Sequence, residues 1–300
     1  MKKFILFFVL LIFIFGFIIG QCNDATEDIA IDEVSIENSY ITNQADYYED
    51  IVKDNCNENN DEEIKKTNCN YTINDSIQLV KIPSSTPNQL LIRNRYLTSY
   101  NNITKCPNWV SWRLSRDHTD GLIGRLSNFH EDEEVPAPRA TLADYRKSGW
   151  SRGHMCPAGD NKWDEQAMYE SFALTNVCPQ NASLNSGLWN SIEMDCRKWA
   201  KKYGGVYIVC GPVFLNKEHE TIGENQVVVP EAFFKVILCL QGKPKAIGYI
   251  VRNNAGKKKK DQFVNTVDNV ERITGMDFFP ALSDDIENEV EAHANLDDWR

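Results

Sequence analysis

Two groups of polar residues in this chain have types and spacings that could do chemistry. The first is Ser151-Arg152-Gly153-His154, which runs on into Met155-Cys156-Pro157-Ala158-Gly159-Asp160. A histidine beside an arginine tends to stay neutral, because a second positive charge nearby is disfavoured. A neutral imidazole can take a proton from water near pH 7. The second group is Asn185, Glu193 and Arg197, along the stretch NSGLWNSIEMDCR. On a regular helix, at about 100° per residue, these three fall within about 120° of arc. One side of that helix then offers an amide, a carboxylate and a guanidinium. Each group also has a plainer reading: a packed histidine, an N-capping asparagine, a surface Glu–Arg pair one turn apart.

These residues need elements to hold them. Apolar residues at helical spacing (Leu188, Ile192, Cys196, Trp199) predict an amphipathic helix over 188–203, stopped by Gly204-Gly205. Short runs at 96–100, 109–112, 172–177, 206–210, 232–240 and 246–251 predict strands. Shorter helices are predicted over 164–169 and 263–274. The stretch 115–148 has few aliphatic runs and many charges, so it predicts a long functional loop. Strands outnumber helices without regular alternation, which makes the class α+β. Trp109, Trp112, Trp150, Trp189 and Trp199 are expected to pack rather than to stack on bases. The run Lys257 to Lys260 is expected to be a solvated loop.

The two polar groups and their surroundings resemble the DNA/RNA non-specific endonucleases of the ββα-metal (His-Me finger) superfamily. That family includes secreted bacterial nucleases and endonuclease G. Its signature is Asp-Arg-Gly-His, followed about 30 residues later by an Asn on a helix. The resemblance extends to RNRYLTSYN, PNWVSW, RATLADYRKSGW, LTNVCPQNASLNSGLWNSIE, GGVYIVCGPVF and VERITGMDFF, covering about residues 90–282. It implies a central, mainly antiparallel sheet flanked by helices. It also implies an endonuclease that hydrolyses phosphodiesters of DNA and RNA and leaves 5′ phosphates. His154 matches the general base. Asn185 matches the direct protein ligand of a catalytic Mg²⁺, with Mn²⁺ as a substitute. Glu193 matches the carboxylate that steadies water around the ion. Arg152 and Arg197 match guanidiniums near the phosphate, and Asn176 matches a positional Asn. Arg139 is a weaker candidate for phosphate contact. The departure is Ser151, where the family has Asp. A hydroxyl replaces a charge there, which implies a lower rate. The rival reading is a catalytically weak or inactive nucleic-acid-binding protein on the same scaffold. A two-fold homodimer is common in the family.

The composition looks at first like an objection to a polyanionic partner, since 300 residues carry a net charge of −11. The charge is unevenly placed. Residues 23–63 carry −13, residues 284–300 carry −6, and residues 64–283 carry +6. The objection therefore applies to the ends. Met1-Lys2-Lys3 and the apolar run from Phe4 to Gly20 predict an export signal, with a retained membrane anchor or a lipidated Cys22 as alternatives. All three place the body outside the cytoplasm, secreted or extracytoplasmic. Eight cysteines remain beyond Cys22, an even number that predicts disulfides. The expected division is a signal over 1–22, an acidic flexible segment over 23–87, a catalytic domain over 88–283 and an acidic tail over 284–300.

Overall fold

The structure is a computed structural model that describes residues 73–254 and 259–300. The export signal, the acidic residues up to 72, Cys22, Cys56, Cys69, Lys257 and Lys258 lie outside the described residues. Among the described residues, no helix is long and apolar enough to cross a membrane.

Seven strands form the central sheet, and two more form one of three separate pairs among the described residues. In chain order they are β1 (Gln89–Ile92), β2 (Leu97–Asn101), β3 (Cys106–Ser115), β4 (Ser151–His154), β5 (Val177–Gln180), β6 (Gly205–Val213), β7 (Ala232–Cys239), β8 (Lys245–Arg252) and β9 (Val264–Asn265). The central sheet has the order β9-β8-β7-β6-β3-β2-β1, and every pairing in it is antiparallel. β4 and β5 pair with each other as an antiparallel ribbon, His154 opposite Val177. The class and the mainly antiparallel sheet are as expected.

Both faces of the sheet are covered, so its inner strands are apolar on both sides. Alternation then decides which side chain meets which layer. On β6, Val206, Ile208 and Cys210 face one core, while Tyr207 and Val209 face the other. The first core is closed by α1 (Asn190–Tyr203) through Ile192, Cys196 and Trp199. The second is closed by α2 (Val267–Thr274) and α3 (Asp284–Glu291) through Val267, Val270 and Val290. Gly204 ends α1 with φ of 90°, a left-handed turn in which its N–H donates to the Ala200 carbonyl. Four of the tryptophans, Trp109, Trp112, Trp189 and Trp199, are buried as expected.

Four expectations change. Residues 73–87, expected as part of a flexible acidic segment, belong to the folded domain: Val80 and Ile82 are buried in the second core, and Val80 pairs with Phe278. The strand expected over 172–177 is a 3-10 turn (Leu174–Asn176) leading into β5, because the Asn176 side chain bonds back to the Ser171 carbonyl. The helix expected from 263 starts at Val267. Thr266 caps it, accepting the Asn269 N–H, and β9 pairs with β8 just before. Residues 284–300 are not a tail. α3 packs on the second core, and the chain then reaches the α1 side, where Trp299 is buried against Trp199 with ring centroids 4.4 Å apart. Lys245 Nζ lies 3.9 Å from the Tyr203 ring centre and donates to the Asp298 carbonyl, clamping this end. Trp299→Ala is expected to destabilise the domain by about 3 kcal/mol, read as a lowered midpoint in urea unfolding.

Folding of the C-terminal segment onto the domain also revises the charge. Residues 73–300 hold 27 basic and 29 acidic side chains, a net of −2. Bulk attraction for a polyanion is therefore absent in the folded part, and any attraction must be local.

The six described cysteines, Cys106, Cys156, Cys178, Cys196, Cys210 and Cys239, are free and buried. The expected disulfides are not formed among them. They fill core positions as small apolar side chains.

Candidate active site

The site is built where the β4–β5 ribbon meets the start of the long helix. His154 ends β4 and is buried, only 6% exposed. Two rings hold its imidazole. Phe172 meets it edge-on at 4.8 Å and Phe129 is tilted against it at 4.9 Å. Its Nε2 makes no hydrogen bond. Burial, followed by the Arg125 and Arg152 charges, depresses its pKa to about 3. The imidazole is thus neutral and has a nitrogen free to accept a proton.

Period-two alternation sends Arg152 to the same side of β4 as His154 and Ser151 to the other side. Arg152 is exposed, with its guanidinium 4.6 Å from the Phe129 ring centre. Gly153 is required by a close approach. A Cβ there would lie 2.3 Å from Gln180 Oε1, and Gln180 is fully buried.

Asn176 does positional work. It is fully buried, donates to the carbonyls of Cys156 and Ser171, and accepts the Cys156 N–H at 2.8 Å. Its amide is consumed in fixing the loop that follows His154, so it has nothing left for substrate.

The helical run begins earlier than the amphipathic pattern predicts. Asn181 caps it by accepting the Ser183 and Leu184 N–H groups. A π-helical turn, Asn185–Trp189, then leads directly into α1. Such a turn takes one residue more than an α turn and often marks a functional site. The arc reckoned for a regular helix therefore does not apply across Asn185. The Asn185 side chain is half-buried and forms no hydrogen bond among the described residues.

Glu193 is in the first turn of α1 and half-buried. Burial raises its pKa to about 7, against the opposing pull of Lys235 and with Asp160 adding to the rise. One turn on, Arg197 donates from Nη1 to Asp160 Oδ1 at 2.6 Å. Burial alone would lower the Arg197 pKa, but the Asp160 carboxylate lifts it above its ordinary value. Gly159 leaves room for this contact, since a Cβ there would sit 2.8 Å from Arg197 Nη1.

Three contributors escape the sequence reading. Asp160 is 3% exposed and takes both Arg197 and the Trp112 indole N–H, at 3.1 Å. Arg125, from the long loop, is exposed over Phe172 and acts electrostatically on both His154 and Glu193. Lys235, in the middle of β7, is fully buried. Its Nζ lies 4.4 Å from the Trp189 ring centre and 5.1 Å from that of Trp112, and it makes no hydrogen bond. Its neighbours on alternate positions, Phe233 and Ile237, belong to the α1-side core, so alternation aims it beneath Glu193 and Asp160. A lone lysine inside AFFKVILC was the available signal.

Arg139 is placed differently. It donates to Glu131 and to the Val135 carbonyl, which ties the loop to itself. Lys260, from the lysine run, pairs with Asp195 on α1.

The arrangement is a neutral buried base, a free amide and a carboxylate on one helical run, and guanidiniums around them. The oxygens of Asn185 and Glu193 are uncommitted and suit a hard divalent cation. The guanidiniums suit a phosphate.

The sequence pattern of DNA/RNA non-specific endonucleases matches residues 74–285. The mitochondrial nuclease EXOG of Mus musculus is 39% identical over 210 residues, which are 63% of this chain and 57% of that protein. Nuclease C1 of Cunninghamella echinulata var. echinulata is 36% identical over 214 residues, 66% of this chain and 85% of that protein. The mitochondrial endonuclease G of Homo sapiens is 34% identical, over 65% of this chain and 70% of its own. A crystal structure of the EndoG/EndoGI complex superposes with a TM-score of 0.65 at 28% identity, covering 72% of this chain and 94% of that one. The chain thus spans little more than half the length of the EXOG relative. These mitochondrial relatives overturn the expectation of a secreted, extracytoplasmic protein. An apolar N-terminal run with two lysines was too generic a signal to assign a compartment. The matched residues take in the whole of the site, and the chain belongs to the DNA/RNA non-specific endonuclease family.

Proposed function

We propose that this chain is a metal-dependent endonuclease that hydrolyses phosphodiester bonds of DNA and RNA with little sequence preference. The observation that carries the reading is His154, a buried, neutral imidazole with its Nε2 unpartnered, in the same electrostatic neighbourhood as Glu193. His154 takes the proton from the attacking water. Phe129 and Phe172 fix its ring, and Arg125 and Arg152 keep it neutral between turnovers. Asn185 would hold the cation, Mg²⁺ in our reading with Mn²⁺ able to replace it, and Glu193 would steady the water around it. When bound, the ion supplies Lewis-acid stabilisation of charge on the phosphate oxygens. Arg197, anchored on Asp160, adds a fixed positive charge at the same place. The products carry 5′ phosphates. Contacts of this kind address the backbone, which carries no sequence information.

With a net of −2 on the folded part, substrate attraction rests on Arg125, Arg152, Arg197 and the cation. The competing reading, a nucleic-acid-binding protein without catalysis, is favoured only by Ser151. Digestion of plasmid DNA and of RNA decides between them. Purified chain with Mg²⁺ is expected to cut both polymers, EDTA is expected to abolish cutting, and the ends are expected to ligate without prior phosphorylation. Folded chain that binds both polymers but cuts neither overturns the proposal.

A further inference from the structure

On the side of the sheet away from His154, three carboxylates converge. Asp268 and Glu271 are one turn apart on α2, and Glu291 is the last residue of α3. Each offers one oxygen, and these oxygens all lie within 4.8 Å of one another. Proximity of acidic groups alone would mean little, because exposed acidic groups cluster often. Glu291, however, is 5% exposed, and its Oε1 has no hydrogen-bond partner. Next to it, Asp277 presents a buried Oδ1 that is also unpartnered, while its Oδ2 takes Lys81 at 3.1 Å. Glu271 accepts the Phe278 N–H with Oε1, which leaves its other oxygen free.

This grouping is electrostatically unfavourable without a positive partner. A buried, unpaired carboxylate is costly, and like charges nearby add to the cost. Glu291 also sits at the C-terminal end of α3, where the helix dipole disfavours negative charge. Burial and then the neighbouring carboxylates raise Glu271 to about 7 and Glu291 to about 9. Lys81 is occupied by Asp277, and Glu287 adds a further negative charge. Either protons or a cation must neutralise the cluster.

We propose that Asp268, Glu271 and Glu291 form a Ca²⁺ site that clasps α3 to α2, with Asp277 adding charge behind it. The donors are all oxygen, which selects a hard cation. Two oxygens on one Ca²⁺ are separated by at most about 5 Å, twice the bond length, whereas on Mg²⁺ the limit is about 4.2 Å. Oxygens within 4.8 Å of one another fit inside the span of a Ca²⁺ shell. Asp268 is exposed, so water can complete the shell and the ion has an entry path. The site's role is structural: it holds the C-terminal segment that carries Trp299 onto the domain.

The test is calorimetric titration of the full chain with Ca²⁺ at mildly alkaline pH, in excess Mg²⁺ so that the Asn185–Glu193 site is filled. One Ca²⁺ is expected to bind per chain. At a hundredfold excess over Kd it is expected to raise the thermal midpoint by about 5–10 °C. Asp268→Asn and Glu291→Gln are each expected to weaken binding at least about tenfold and to leave DNA cleavage in Mg²⁺ unchanged. Asp268 is exposed, so its variant remains informative if Glu291→Gln does not fold. Absence of saturable Ca²⁺ binding overturns the proposal, as does wild-type affinity in Asp268→Asn. A midpoint that ignores Ca²⁺ but rises as pH falls also overturns it, because protons are then the neutralising partner.

Discussion

His154→Ala is expected to lower the rate of DNA and RNA cleavage by about 10²–10⁴-fold, the usual contribution of a positioned general base. The imidazole is the described group that combines neutrality, burial and an unpartnered acceptor nitrogen at the site. The variant should fold, since Phe129 and Phe172 contact each other at 4.9 Å without the imidazole. Substrate binding should change little, because the guanidiniums remain. The loss is therefore expected in kcat rather than KM, and single-turnover cleavage measures it. Cleavage at the wild-type rate by folded His154→Ala would remove the proposed base from the mechanism.

Acid should act on this site in two stages. Glu193 sits near 7 and must shed its proton to help hold a cation, so metal affinity weakens as pH falls through about 7. His154 remains neutral until about 3. The sign for stability follows from the unfolded chain, where histidine takes a proton below about 6.5. Between that pH and about 3 the unfolded state binds a proton that the folded state refuses, so stability falls with pH across this window. His154→Ala should lose less stability than wild type over the same window. Mg²⁺ titrations at about pH 6 and about pH 8, and urea midpoints down to about pH 4, read the two stages separately.

What the sequence disclosed of this site depended on how local each signal was. His154, Asn185, Glu193 and Arg197 lie in two continuous stretches and could be picked out by type and spacing. The glycines at 153 and 159 were visible too, but the reason for them was not, because it rests on Gln180 and Arg197 approaching across the fold. Asp160 stands six residues after His154, yet its partner Arg197 is 37 residues away on another element. Lys235 is a single charge within the strand expected over 232–240. Only the register of β7 against β6, with Lys235 opposite Cys210, shows which face it occupies. Arg125 comes from a loop with no periodicity, so nothing local marks it. The π turn at Asn185, with Trp189 buried at its end, is invisible to a count of 100° per residue. At the C-terminus, seven acidic residues concealed Val290 and Trp299, the two apolar side chains that 284–300 buries in the domain.

Asp160→Ala is expected to be the most destabilising single change at the site, by about 3–5 kcal/mol, or about 6–20 °C in the thermal midpoint. The reason is the charge it leaves behind. Asp160 is almost wholly buried and is the hydrogen-bonded counter-charge of Arg197. It also lies in the field of Lys235, whose ammonium sits against the faces of Trp112 and Trp189, with Cys210 and Glu193 also acting on it. Removing the carboxylate takes from Arg197 its hydrogen-bonded counter-charge and weakens the field that holds Lys235, and it deprives the Trp112 indole of its acceptor. Arg197 would then swing free of its anchor, so cleavage should fall along with stability. Asp160→Asn keeps an acceptor oxygen but loses the charge, and should fall between the two. The decisive comparison is with Lys235→Met, which keeps the volume and removes the ammonium. If Lys235 and Asp160 are coupled as the packing indicates, Lys235→Met destabilises wild type but restores part of the stability lost in Asp160→Ala, with a coupling of about 1–3 kcal/mol in a double-mutant cycle. Additive effects would mean that Asp160 is not the partner of the buried ammonium, whose charge then faces Glu193 instead.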